Sequence, residues 1–347
     1  MQIVSWRQST ECQHLEDSVV SRPLVSAVIP AYNHERFVQQ TLRSLIAQTY
    51  PNLEVIILND GSKDNTLARI QALAPECQGR FRRFVVVDKN NEGVGMTLNQ
   101  GLSLAAGSYI FHLASDDFVE PDAVATLVME MDKNPDAGLA CGDADFVDEN
   151  GQCIELHRGQ RTYTSFVRYM THGRRGFDPA RDFGTYWSLI AGNHVPIGLL
   201  MRKEVYQRTG MYSGNVALED YDLWLRLAKG HRMVLVDRTL AHYRLHAANS
   251  LTFMKNQLLR DLGVLYLRER EYCVGEGLIP QWRESMAKVI WHMALRRLWL
   301  FLIELIRAIG LVNVAKIIMS VAYHRLVASL KNFGASGTAR NGEGRHS

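Results

Sequence analysis

From residue 24 onward the chain alternates between two hydrophobic periods, and that alternation constrains its fold more than any other feature. The apolar run "LVSAVI" gives way to the helical period of "ERFVQQTLRSLIAQ" and then to "LEVIIL". The pattern continues through "NTLARIQALA", "FRRFVVVD", "GMTLNQGLSLA" and "GSYIFHLA". A strand that is apolar at nearly every position has both faces covered, and strands joined through helices pair in parallel. The expected fold class is α/β, a doubly wound, mostly parallel sheet. Ligands bind such sheets at the carboxyl ends of the strands.

Four polar clusters fall at those ends: "PAYNHE", "NDGSKDN", "DKNNEGVG" and "SDDFVEPD". The last holds Asp116 and Asp117, two carboxylates that repel each other at the edge of a buried strand. A divalent cation is the simplest offset to that repulsion. The alternative is a solvated turn opening the next helix, since Pro121 suits a first helical turn. The position at a strand end favours the cation.

Tyr32 follows the first strand, where an aromatic face can hold a planar base, and Asp60 ends the second, where it can accept from a base N–H or a ribose hydroxyl. "NNEGVGMTLNQG" lacks G-x-G-x-x-G and follows the third strand, which argues against a nicotinamide cofactor. Downstream, "ALEDYDLWLRLAKG" places Glu219 and Asp220 at a helix start, with Leu223, Trp224 and Leu227 as an apolar stripe. Acids at a helix start ordinarily cap it; a general base is the sharper alternative. "AHYRLHAANS" brings His242, Arg244 and His246 within five residues, a density of cationic or metal-competent groups suited to a diphosphate.

With 347 residues, 47% of them hydrophobic, the chain can build one large α/β domain with an appendage, and it is not disordered. A net charge of +3 argues against nucleic acid as a general partner. The five cysteines are scattered without CxxC spacing, so neither a disulfide framework nor a zinc site is expected. The start "MQIVSWRQSTECQHLEDSVV" has no signal-peptide pattern and no charge-free apolar run is long enough to span a bilayer, so a cytoplasmic location is expected.

The expected organisation is an N-terminal extension (1–23), a first half of the α/β domain (24–130), a second half (131–254), a helical C-terminal region (255–333) and a disordered tail (334–347). Residues 155–192, rich in Arg, Gly and aromatics, are expected to be mobile or to face an acceptor. Ala287 to Phe333 carries seven Lys or Arg against Glu304 alone. At helical spacing Arg296, Arg307 and Arg325 fall nearly on one side, which suits peripheral attachment to an anionic membrane surface. Packing of this region on the catalytic domain or on a second copy of the chain is the alternative.

Taken together, "VSAVIPAYNHERFVQQTLRSLIAQTYPNLEVIILNDGSKDNT", "NEGVGMTLNQGLSLAAGSYIFHLASDD", "LEDYDLWLRLA" and "YRLHAANS" resemble, in this order, the family 2 inverting glycosyltransferases of the GT-A fold, of the kind that build bacterial surface polysaccharides. The resemblance runs from about Leu24 to Ser250. It implies that Pro30, Ala31, Tyr32 and Asp60 hold the base and ribose of a nucleotide sugar, with Asp116 on the ribose side and Arg244 among the donor contacts. It implies Asp117 as ligand to Mn2+ or Mg2+, with His246 as a metal or diphosphate contact. Asp220 matches the general base, and Glu219 and Trp224 the acceptor side. UDP is the default donor nucleotide, and a glycan or lipid-linked hydroxyl the acceptor. Asn59, Ala114 and Leu98 stand where many members carry Asp, an acid and Arg; the last puts the donor base in doubt. A sugar-phosphate nucleotidyltransferase shares a similar sheet but normally carries a Gly- and Arg-rich loop after its first strand, where "PAYNHERF" has no glycine. A noncatalytic binding module on the same fold is the other alternative.

Overall fold

The protein is described by a computed structural model covering residues 1–7, 22–174, 176–214, 218–247, 249, 255–296, 298–310, 313–317 and 319. The chain sorts into two packed units, Met1–Phe253 and Met254–Ser347.

In the first unit, the elements expected from the apolar alternation are present in order. They are β2 (Val25–Ala31), α1 (Val38–Ile46), β3 (Leu53–Asp60), α2 (Thr66–Ala72), α3 (Ala74–Arg80), β4 (Arg83–Lys89), α4 (Val94–Leu104) and β5 (Tyr109–His112). Strands β4, β3, β2 and β5 are neighbours and parallel, and β3 is buried along its whole length. Pro30 lies beyond the last pair with β5, Val28 with His112, so its missing N–H costs no bond on that side. Helix α4 sits close on this sheet because residue 101 is glycine: a Cβ there would collide with Val28 Cγ1 and stand 3.0 Å from Leu58 Cδ1.

Two departures enlarge the sheet. The segment before β2 contributes β1 (Gln2–Arg7), which pairs antiparallel with β4 at the edge. On the other side β6 (Phe118–Val119), β7 (Ala137–Val147), β11 (Leu199–Arg202) and β12 (Arg232–Arg244) give the order β1-β4-β3-β2-β5-β11-β7-β12-β6. The sheet is thus parallel through β4-β3-β2-β5 and mixed beyond: β11 runs antiparallel to both β5 and β7, and β12 runs parallel to β7. Strand β6 pairs with the end of β12, His242 opposite Phe118. This pairing brings the chain after Asp117 against the chain before Arg244.

The irregular 155–192 stretch holds a small hairpin, Leu156–Arg158 with Arg161–Tyr163, and three short helices, Phe166–Met170, Pro179–Asp182 and Tyr186–Ile190. Helices Lys203–Thr209 and α10 (Glu219–Leu227) follow.

The second unit contains three helices that we label α11 (Lys255–Gly275), α12 (Ile279–Leu295) and α13 (Trp299–Ile309). Their interior includes Trp282, whose indole N–H donates to Tyr266 O at 2.5 Å, with Met286, Val289, Met293, Leu302 and Leu305. The helical spacing expected to align Arg296 with Arg307 does not hold, because α12 ends at Leu295 and a new helix starts at Trp299. Arg325 and the 334–347 tail lie outside the described residues. Among the described residues no helix is long and apolar enough to cross a membrane.

Candidate active site

The turns after β2 and β3 are laced together by side chains. Asn33 takes a positive φ of 54°, its N–H donates to Ser62 Oγ at 3.0 Å, and its Oδ1 accepts from Lys63 N at 2.8 Å. Glu35 N–H donates to Asp64 Oδ2 at 3.0 Å, while Glu35 Oε2 accepts from Asn65 N at 2.9 Å. His34 N–H donates to Thr66 Oγ1 at 2.8 Å. These bonds explain the polar residues of "YNHE" and "SKDNT": short side chains give unpaired turn backbone its partners. They also fix the backbone that carries the His34 ring.

That ring meets Asp116 and His246. His246 Nε2 lies 3.0 Å from Asp116 Oδ2, and His34 Nε2 lies 3.7 Å from the same oxygen. One ligand atom from each of the three falls within 4.8 Å of the others, the only such set of His, Cys, Asp or Glu among the described residues. His34 Nδ1 bonds Ser115 Oγ at 2.7 Å, which fixes the ring and leaves Nε2 toward Asp116. His246 packs against Phe37 at 4.6 Å between ring centroids. Burial holds His34 below the ordinary imidazole value, against the pull of Asp116, and so favours the neutral ring that ligates metals. Burial would raise Asp116, but the hydrogen bond from His246 and the nearness of the two imidazoles outweigh it and keep this carboxyl low. Two imidazoles and an ionised carboxylate form a donor set that fits a divalent transition ion.

Asp117, expected as the cation's ligand, is outside this set. Only 2% exposed, it turns the other way, and its Oδ1 accepts the backbone N–H of Arg244 at 2.8 Å. Burial first, then the neighbouring Asp116 charge, push Asp117 well above the ordinary carboxylate value. Asp116 faces the imidazoles and Asp117 braces β12.

Arg244, expected as a donor contact, is paired within the protein. It is 1% exposed and its guanidinium is committed to the protein: Nε to Asp116 O at 2.7 Å, Nη1 to Asp148 O and Glu149 O, and Nη2 to Gln40 Oε1 at 2.6 Å. It lies over the Phe37 and Phe118 rings. A buried cation with these partners organises the site from behind. His242 is likewise held, between Asp145 at 2.6 Å and Glu120 at 3.1 Å, and stacks on Phe118.

The first turn of α10 presents Glu219 and Asp220 side by side, both half-buried. Asp220 Oδ1 accepts from Tyr221 N at 2.6 Å and Oδ2 accepts from Asn193 Nδ2 at 3.2 Å. Burial raises the Asp220 carboxyl, partly countered by these two bonds. Burial and the Asp220 charge push Glu219 up to about 8. Burial first, then the charges of Asp117, Asp116 and Asp220, push the phenol of Tyr243 on β12 up. Trp224, expected on the acceptor side, is 3% exposed and belongs to the interior face of α10.

The remaining expected residues line the ends of β2 and β3. Pro30 and Ala31 pair with Leu58 and Asn59, and Tyr32 is 45% exposed at the strand end. Asp60 is buried, with its carboxylate accepting from Lys89 Nζ at 2.6 Å and from the N–H groups of Glu92 and Gly93, both at 3.0 Å. Gly61 turns the chain at φ 73°, where a Cβ would lie 2.7 Å from Asn91 N. Three site residues were not singled out from the sequence: His34, Asn193 and Tyr243. The first and last sat in polar clusters already marked, "PAYNHE" and "AHYRLHAANS"; Asn193 lay just past the aperiodic stretch and gave no signal.

Residues 26–193 match the family described as glycosyl transferase family 2. A 128-residue stretch is 44% identical to a hyaluronan synthase of Pasteurella multocida, covering 37% of this chain and 13% of that protein. This chain thus spans a small part of that relative's length. Among solved structures, the mannosyltransferase PcManGT from Pyrobaculum calidifontis, in complex with GDP-Man and Mn2+, is 15% identical with a TM-score of 0.54, covering 90% of this chain and 88% of that one. S. aureus TarS 1–349 in complex with UDP-GlcNAc is 17% identical with a TM-score of 0.51, covering 77% of this chain and 80% of that one. Both likenesses establish the fold.

Proposed function

The chain belongs to glycosyl transferase family 2, and we propose that it moves a sugar from a nucleoside-diphosphate donor, UDP-linked by default, to a hydroxyl of a glycan or lipid-linked acceptor. The observation that carries this reading is the meeting of His34, Asp116 and His246 within 4.8 Å of one another, together with a separate carboxylate pair, Glu219 and Asp220, at the start of α10. A site with a cation-competent set and a separate carboxylate base matches the two needs of a single displacement: neutralising a leaving diphosphate and removing an acceptor proton. The donor class is that carried by the two fold neighbours.

His34, Asp116 and His246 would hold the cation, and a bound Mn2+ would supply Lewis-acid stabilisation of charge on the departing diphosphate. Their two nitrogen donors favour Mn2+ over Mg2+, which takes oxygen ligands. Asp220, ionised and aimed by Asn193 and the Tyr221 N–H, takes the proton of the acceptor hydroxyl. The acceptor oxygen then bonds the anomeric carbon as the carbon–phosphate-oxygen bond breaks on the opposite face, which inverts the configuration. Glu219, holding its proton to about pH 8, donates a hydrogen bond to the acceptor rather than competing as a base. Tyr32 offers an exposed ring for the base at the end of β2. The setting we favour is surface-polysaccharide assembly of O-antigen or capsule type, in keeping with the stretch shared with a hyaluronan synthase.

The test is a panel of nucleotide sugars incubated with the full chain and Mn2+, read as nucleotide release. Release from one UDP-sugar, lost in Asp220→Asn with added acceptor, is expected. Pyrophosphate release from a sugar phosphate and NTP would overturn the reading in favour of a nucleotidyltransferase.

A further inference from the structure

Helices α12 and α13 bury one face each and leave the other unusually apolar. On α12 the interior positions Trp282, Met286, Val289 and Met293 recur at helical spacing, and on α13 so do Leu302, Leu305 and Ile309. On the outer side, Leu295 is 64% exposed, Trp299 55%, Leu300 77% and Ile303 44%, with Trp291 one turn before Leu295 at 53%. These residues are consecutive in space along each helix: 291 and 295 are one turn apart, as are 299 and 303. They crowd the turn where one helix ends and the next begins. Scattered exposed apolar side chains are normal on a protein surface; five large ones within thirteen residues are not.

The charges around them are predominantly basic, with Glu304 exposed among them. From Ala287 to Gly310 the chain has Lys288, Arg296, Arg297 and Arg307 against Glu304. Arg296 lies in the turn between the helices and is exposed, and Arg307 is exposed one turn beyond Ile303 on the same face. Lys288 shares an exposed i,i+4 pair with Glu284 at 3.0 Å, a contact worth little in water. An apolar face of Trp, Leu and Ile edged by cations is complementary to the headgroup boundary of an anionic bilayer, where Trp rings favour the interface and Arg meets lipid phosphate. Helix α13 has 11 residues, about 16 Å of rise against a hydrocarbon core of about 30 Å, so it is suited to lie in the interface and not to cross it.

We propose that the α12–α13 corner, through Leu295, Trp299, Leu300 and Ile303 with Arg296 and Arg307, docks the protein on an anionic lipid surface. This goes beyond the transferase reading and stands without it. The test uses the full chain, sedimented with vesicles of phosphatidylcholine containing about one-third phosphatidylglycerol and with vesicles of phosphatidylcholine alone. Binding to the anionic vesicles is expected to fall about tenfold or more in the double variant Trp299→Glu, Leu300→Glu, because acids replace the inserted side chains. In Arg296→Gln, Arg307→Gln it should fall severalfold and lose most of its salt dependence. Both pairs are solvent-exposed, and an unchanged melting temperature confirms folding. Nucleotide release from a soluble donor should be unaffected in both. Equal sedimentation of the original chain and the acidic variant, or no sedimentation of either, overturns the proposal. So does light scattering showing a dimer that the acidic variant turns into a monomer, since the face would then be an interface between copies.

Discussion

Asp116 Oδ2 lies 3.0 Å from His246 Nε2, and these two residues, 130 positions apart, meet because β6 pairs with the end of β12. The neighbouring Asp117 uses the same strand pairing differently, accepting the Arg244 N–H. Substituting the two aspartates should therefore give unequal results. Asp116→Asn and His246→Ala are each expected to weaken Mn2+ binding by tenfold or more, measured by titration calorimetry, since each removes a charged or nitrogen ligand. Asp117→Asn should change Mn2+ affinity by no more than about threefold, because Asp117 lies outside the His34, Asp116 and His246 set and an amide oxygen can still accept the Arg244 N–H. A larger loss for Asp117→Asn than for Asp116→Asn would restore Asp117 as the ligand.

Arg244 separates a structural reading from a ligand-binding one. Its guanidinium serves Asp116 O, Asp148 O, Glu149 O and Gln40 Oε1, so Arg244→Ala leaves one buried and three partly buried acceptors without this partner. Unfolding by urea should show a loss of about 3 kcal/mol or more. A loss under about 1 kcal/mol, together with weakened donor binding, would mean that the guanidinium serves a diphosphate after all.

The acid pair on α10 carries a pH dependence of stability. Glu219 is raised from 4.5 to about 8 by burial and by Asp220, so the folded protein binds a proton that the unfolded chain releases in that window. Stability from this source is complete below about pH 4.5 and is lost as pH rises toward 8. Glu219→Gln should flatten the decline in denaturant midpoint between pH 5 and 8. An unchanged slope would show that Glu219 titrates in the ordinary range.

The sequence made the parallel half of the sheet legible because β2, β3 and β4 are continuous apolar runs between amphipathic helices, a local signal. It marked the strand ends, and with them Tyr32, Asp60 and the two aspartates, for the same reason. What it could not show depends on partners far along the chain. Arg244 looked like a free cation because Gln40, its partner at 2.6 Å, lies 204 residues away. Asp116 and Asp117 are chemically alike, and only the positions of His34, His246 and the Arg244 backbone tell them apart. The insertion of β11 between β5 and β7 leaves no local trace, since three apolar residues and an arginine suit a strand or a helix turn equally. Trp224 fell on an apolar stripe whose burial, not its exposure, was the ordinary outcome.

Asn193 is the residue whose substitution tests how Asp220 is tuned. Its Oδ1 accepts from Val195 N at 3.1 Å, which sets the amide so that Nδ2 faces Asp220 Oδ2 at 3.2 Å. Arg174 holds the turn before it, donating to Ser188 O at 2.9 Å and Gly192 O at 3.0 Å, so the amide sits on a braced backbone. A hydrogen bond to a carboxylate favours its ionised form, and here it opposes the burial that raises Asp220. A general base works ionised, so its rate is present above its folded pKa and lost as pH falls through it. In Asn193→Ala that opposing bond is gone, and the acid limb of kcat/KM should move to higher pH by about half a unit to one unit. At pH above the limb, kcat should recover to within about threefold of the original chain, with donor KM unchanged, because the carboxylate itself is intact. A merely structural role predicts something different: a uniform fall in kcat at every pH with the limb in place. That profile would assign Asn193 to the turn and leave Asp220 tuned by burial and the Tyr221 N–H alone.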